Sequence, residues 1–188
     1  MIRLSLIVLI LFFLVSCEDQ RIPKPRGYAR IELPETNYKT VESDQFSLQI
    51  LEDADFIIKT DKPNWSSIHY NSLDADLFFT YFKNPDIQTV AEDARKTAFK
   101  HAIKADDIIN MPFSIPEKQV YGVVYSIEGN AATPVIMLFT DSIDQFVHSA
   151  LYFNCKPNAD SLKPVIHFVR QDIQHIIETL EWKSLNEN

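Results

Sequence analysis

The chain has 188 residues, 46% of them hydrophobic, and its 26 acidic against 18 basic residues give a formal net charge of -8. An acidic balance of this kind argues against nucleic-acid binding, which calls for a broad basic patch. Only three glycines are present, Gly27, Gly122 and Gly129, too scattered to assemble a phosphate-cradling loop, so nucleotide binding is not expected either.

The N-terminus, MIRLSLIVLILFFLVSC, carries one basic residue at Arg3, an apolar run from Leu6 to Val15, then Ser16 and Cys17. The run is shorter than the roughly 20 apolar residues of a bilayer span and lacks a basic stop-transfer flank, so it reads as a signal peptide. Leu14-Val15-Ser16-Cys17 has the order of a bacterial lipoprotein cleavage site, with the thiol of Cys17 as the acceptor of a diacylglyceryl group. Residues 1–16 are therefore assigned to a lipoprotein signal peptide and Cys17 to the mature, membrane-anchored N-terminus. With Cys17 acylated, Cys155 is left without an internal disulfide partner, and its position after alternating apolar residues predicts a small buried or strand-end side chain.

Residues 17–27 form a lipid-anchored tether. Pro23 and Pro25 fix their own φ and push Ile22 and Lys24 into extended geometry. At about 3.1 Å per residue this strut holds the following domain roughly 30 Å from the bilayer. Arg21, Lys24, Arg26 and Arg30 give it a basic character at odds with the rest of the chain. Three uses stay open: contact with anionic headgroups, docking to an acidic surface on the same fold or a partner, and simple solvation. Pro23, Lys24, Pro25, Arg26, Gly27, Tyr28 and Arg30 are together the candidate partner surface or entry clamp. Arg26 offers a planar fork for a carboxylate, Gly27 a permissive backbone, and Tyr28 an apolar ring with a polar tip.

Residues 28–188 are expected to form one globular domain. GYARIEL and QFSLQIL alternate as half-buried strands do, and FIIKT, SSIHYN and ADLFFTYF read as short antiparallel neighbours. Behind Asp86 as a cap, Ile87, Val90, Ala91, Ala94 and Ala98 predict a helix to about Lys104. Strands return with INMPFSI, QVYGVVYSI, PVIMLFT and QFVHSALYF, the second and third joined through the turn EGNAAT. A closing helix carries Leu162, Val165, Ile166, Val169, Ile173, Ile176, Ile177 and Leu180 on one stripe. Strands and helices in this order, without regular βαβ alternation, indicate an α+β fold with a largely antiparallel sheet and two main helices.

Chemistry is sparse. No nucleophile elbow, zinc motif or paired cysteine set is present, and no catalytic residue, metal or cofactor is assigned. His167 and His175 are too far apart on one helix to chelate a single ion, and His69 and His148 lie in strand-like segments. Asp141 with Asp144, and Asp106 with Asp107, are read as turn formers rather than acid/base pairs.

The segment PKPRGYARIELPETNY, with Pro23, Pro25, Arg26, Gly27, Tyr28, Arg30, Ile31, Pro34 and Tyr38, resembles the N-terminal signature of the GldD gliding-motility lipoproteins of Bacteroidota. The run from TDSIDQF to ETLEW is similar to that family's C-terminal half, so the likeness spans nearly the whole mature chain. The resemblance implies a non-enzymatic component of the gliding apparatus tied to type IX secretion. It implies a lipid-anchored place in the cell envelope, with inner and outer membrane both open. Other gliding-machinery lipoproteins or secretion components are the implied partners, and nucleic acid is not among them. Element order also resembles PsbP/Mog1-like α/β/α sandwiches, a likeness of fold that carries no function. The alternative reading is a periplasmic lipoprotein that binds a lipid or small molecule in an apolar pocket.

Overall fold

The computed structural model describes residues 32–101, 105–155 and 158–183. Cys17 and the segment Pro23 to Arg30 lie outside the described residues. Of the expected strand over GYARIEL only Glu32 and Leu33 are among the described residues; residues 32–37 have no regular structure, and the first described strand is β1, Tyr38–Glu42. Pro34 cannot donate to a ladder, which is reason enough for pairing to begin beyond it.

Ten strands and two helices follow in the described residues. β2 (Phe46–Leu51), β3 (Ala54–Ile58), β4 (Trp65–Tyr70) and β5 (Ala75–Lys83) precede α1 (Ile87–His101). Next come β6 (Ala105–Ile115), β7 (Val120–Gly129), β8 (Val135–Thr140) and β9 (Gln145–Phe153). α2 (Ala159–Thr179) and the short β10 (Glu181–Trp182) complete the fold. The expected cap of α1 is in place, with Asp86 accepting from the Thr89 N–H at 3.4 Å and the Thr89 hydroxyl at 2.8 Å, and the described part of the helix runs to His101. Asn158 caps α2 by accepting from the Ser161 N–H.

Every strand pairing is antiparallel. Seven strands make one sheet in the order β3-β4-β5-β9-β8-β7-β6, and β1-β2-β10 make a second. This is the α+β architecture expected, whereas the likeness to PsbP/Mog1-like sandwiches rests on element order alone.

The alternation along each strand decides what lies on either face of the large sheet. On β5, Ala75, Leu77, Phe79 and Tyr81 point into the main core, where they meet Phe46, Leu48 and Ile50 of β2 and Val169, Ile173 and Ile176 of α2. The helix stripe read from sequence is thus the buried side of α2. On the opposite face, α1 sets Val90, Ala91 and Ala94 against Tyr125, Ile136, Leu138 and Ala150, covering the β7-β8-β9 part only.

Two glycines have steric reasons to be there. A Cβ at Gly122 would stand 2.1 Å from the Leu138 carbonyl oxygen and 2.5 Å from Phe113 Cζ, and Gly129 has φ +98° where β7 turns toward β8.

The sheet has two unlike ends. β1 enters beside the β2-β3 turn, where Glu52 N–H donates to Asn37 O. The β3-β4 hairpin and the β8-β9 turn lie at the other end.

Candidate functional site

The carboxylates of TDSIDQF are brought together, but in a turn. Asp141 Oδ1 accepts from the backbone N–H groups of Ile143 (2.9 Å), Asp144 (3.1 Å) and Gln145 (3.0 Å), while Oδ2 accepts from the Gln145 amide. Burial works against ionisation of Asp141, yet these donors hold its pKa below the usual value; Asp144 is pushed up by desolvation and by its bond to Asp141. Oxygens committed in this way organise the loop and have little capacity left for a substrate. Asp107 likewise accepts from Ile108 N–H at the start of β6.

The histidines are dispersed. His69 bonds Asp76 at 2.9 Å across the β4-β5 ladder, His148 is half-buried on β9 with its pKa lowered by burial, and His167 is exposed. His175 stacks on Tyr38 with ring centroids 3.6 Å apart and donates to Gln49 Oε1. Among the described residues no cluster of three or more His, Cys, Asp or Glu side chains could hold a metal ion. Cys155 is exposed two residues past the end of β9, so of the two expected placements, buried or strand-end, the second holds. The chain has already left the ladder at Phe153, so the alternation that would have turned Cys155 inward no longer operates.

The sequence reading missed Asp172. It is 2% exposed, in the middle of the apolar stripe of α2, three residues after Val169 and four before Ile176. Its Oδ2 accepts from the Tyr70 hydroxyl at 2.5 Å, and its Oδ1 is buried without a partner among the described residues. Burial pushes the Asp172 pKa up to about 6, against the opposing effect of the Tyr70 bond, and burial also raises Tyr70 well above the ordinary tyrosine value. The heptad position alone would have revealed this carboxylate as inward-facing. A group so enclosed can hold a proton but cannot meet a substrate.

What the fold offers to other molecules lies on its surface. The face of the large sheet that α1 leaves bare carries Ile57 (48% exposed), Trp65 (43%), Phe78 (38%) and Tyr152 (37%). The register places them side by side: Phe78 is opposite Ser67, itself opposite Ile57, and Phe78 meets Tyr152 edge to face at 5.8 Å. Lys59 and Lys62 hold their ammonium groups 5.5 and 4.8 Å from the centre of the Trp65 ring. Trp65, Phe78, Thr80, His148 and Tyr152 line a shallow cleft of about 220 Å³. Aromatic residues on both faces of ADLFFTYF obscured this patch, because alternation shows that two faces exist without showing which is covered.

A second concavity, of about 580 Å³, runs between α2 and β6. Met111, Phe113, Ile115, Ile173 and Ile177 line it, and Arg170 borders it while pairing with Glu128 at 2.8 Å.

A family model described as gliding motility lipoprotein GldD matches residues 18–182. The chain belongs to that family. The GldD match opens directly after Cys17, takes in the Pro23 to Arg30 segment and continues through both helices to Trp182. Membership makes the chain a gliding-motility lipoprotein associated with the cell envelope. No helix among the described residues is long and apolar enough to cross a membrane. No curated protein matches the chain.

Proposed function

We propose that this GldD-family lipoprotein is a non-enzymatic interaction component of the gliding apparatus and its associated type IX secretion system, held to its membrane by lipid on Cys17. The open sheet face carries the reading. Monomeric proteins seldom leave Ile57, Trp65, Phe78 and Tyr152 contiguous and solvent-exposed unless a partner covers them. The commitment of Asp141 to backbone donors and the enclosure of Asp172 support the non-catalytic part.

The test is affinity purification of the intact lipoprotein from gently solubilised membranes, with identification of what copurifies. Gliding or secretion components should be recovered with the wild type and lost with Phe78→Ser/Tyr152→Ser. Recovery of none, or equal recovery by the variant, would refute the assignment to this face. Mass spectrometry of the mature N-terminus tests the anchor: Cys17 should carry the diacylglyceryl group.

The groove between α2 and β6 favours a second reading, a lipid- or small-molecule-binding lipoprotein, because about 580 Å³ with apolar walls is of ligand size. Native mass spectrometry of the freshly purified protein would reveal a retained ligand.

A further inference from the structure

The large sheet ends in two edge strands, and they are not alike. β6 is protected: Pro112 interrupts its row of donors, and the register shifts between Ala105 and Asp107. β3 has no proline, no lysine and no register shift, and among the described residues it pairs with β4 alone. Its last two residues, Ile57 and Ile58, are both exposed, at 48% and 43%. Long-lived edges of this kind are ordinarily covered, because their unpaired backbone groups accept another strand.

The direction of those groups follows from the hairpin. Lys59 N–H donates to Trp65 O, so in an antiparallel ladder the hydrogen-bonded positions of β3 facing β4 are Lys59, Ile57 and Asp55. Ala54, Phe56 and Ile58 therefore turn their N–H and C=O groups away from the sheet. They are spaced symmetrically about Phe56.

We propose that β3 is a self-association edge whose occupant is β3 of a second copy of this chain, paired antiparallel about a two-fold axis at Phe56. In that register Ala54 faces Ile58 of the other copy, Phe56 faces its counterpart, and about six backbone hydrogen bonds close. The match is self-complementary in size and charge. The large Ile58 meets the small Ala54, and Asp55, the sole charge in β3, falls opposite Ile57 rather than opposite another Asp55. Because the axis is perpendicular to the sheet, both copies keep their cores on the same side, and the two bare apolar faces join into one. Copies of a lipoprotein anchored in one membrane also meet at high local concentration. This inference rests on strand geometry and does not depend on the gliding assignment.

The test uses the full-length lipoprotein in mild detergent. The wild type should be dimeric by native mass spectrometry. Ile58→Pro removes an N–H that β4 does not use, so it should weaken dimerisation by about tenfold or more while the monomer still folds and unfolds cooperatively. Ile57→Asp, which keeps the backbone intact and sets a carboxylate opposite Asp55 of the other copy, is the companion variant should the proline disturb the hairpin. Register is read by co-expressing Asp55→Cys and Ile57→Cys chains, each with Cys155→Ser. A mixed disulfide is expected, and Ile57→Cys with the α1 variant Glu92→Cys should give none. A monomeric wild type, a dimer that persists in both edge variants, or an edge-dependent complex with a different polypeptide would each overturn the proposal.

Discussion

Tyr70 and Asp172 lie 102 positions apart in the chain, yet the hydroxyl of one donates to the carboxylate of the other at 2.5 Å, pinning α2 to β4 inside the main core. A polar bond here is a registration point in a layer otherwise fixed only by apolar contact.

That bond has a pH signature. The folded-state pKa of Asp172, about 6, exceeds the ordinary 3.8, so folding favours the protonated form. Its contribution to stability is complete below about pH 4 and is lost as pH rises through 6. The ionised form costs about 3 kcal/mol by the linkage relation. Asp172→Asn should therefore stabilise the protein at pH 7.5 by an amount of that order, with little gain at pH 4. Urea unfolding across this range checks it, and a pH-independent difference would argue against the buried carboxylate as its source.

Ile173 is 2% exposed and Gln174 beside it is exposed. Ile173→Asp should cost several kcal/mol and abolish cooperative unfolding, because the new charge has no partner in the core. Gln174→Asp should change stability by less than about 0.5 kcal/mol. Thermal melts of the pair distinguish a core stripe from a free binding helix.

Asp141→Ala would leave the N–H groups of Ile143, Asp144 and Gln145 without their shared acceptor. A destabilisation of about 2–4 kcal/mol is expected, with Asp141→Asn losing much less because its amide oxygen still accepts. Denaturant titration gives both values.

Gly122→Ala directs a methyl group at the Leu138 carbonyl oxygen, which belongs to the neighbouring strand and cannot swing aside. Separation of β7 from β8 at this point should cost about 2 kcal/mol or more. Faster amide exchange along Tyr121 to Val124 would mark the site of the damage.

The segment Pro23 to Arg30 separates spacing from docking. A Gly/Ser replacement of Pro23 to Tyr28 with equal reach should impair gliding, and Arg26→Ala and Tyr28→Ala should each do so with the lipoprotein abundant and membrane-bound. Normal motility in the replacement would reduce the segment to a spacer.

The features most legible in sequence were those set by local pattern: the helical spacing of the α2 stripe, the Asp86 cap and the alternation of β2 and β5. Asp172 escaped because a carboxylate in a helix is ordinarily taken to face water, although its position between Val169 and Ile176 placed it inward. Pro34 marks the opposite weakness: alternation in the letters takes no account of a residue that cannot donate, and residues 32–37 carry no ladder. The open face of β3, β4 and β5 was beyond reach of local pattern. It depends on α1 lying over β7 to β9, a matter of long-range packing.

β1 begins at Tyr38, opposite Leu51, and the described residues before it, 32–37, have no regular structure. A load that reaches the fold from its N-terminal side enters at Tyr38, and the five pairs from Tyr38↔Leu51 to Glu42↔Ser47 are the first ladder to bear it. The stacking of Tyr38 on His175 extends that resistance to α2. A pull entering at Tyr38 therefore meets both a strand ladder and a ring stack before it reaches the main core.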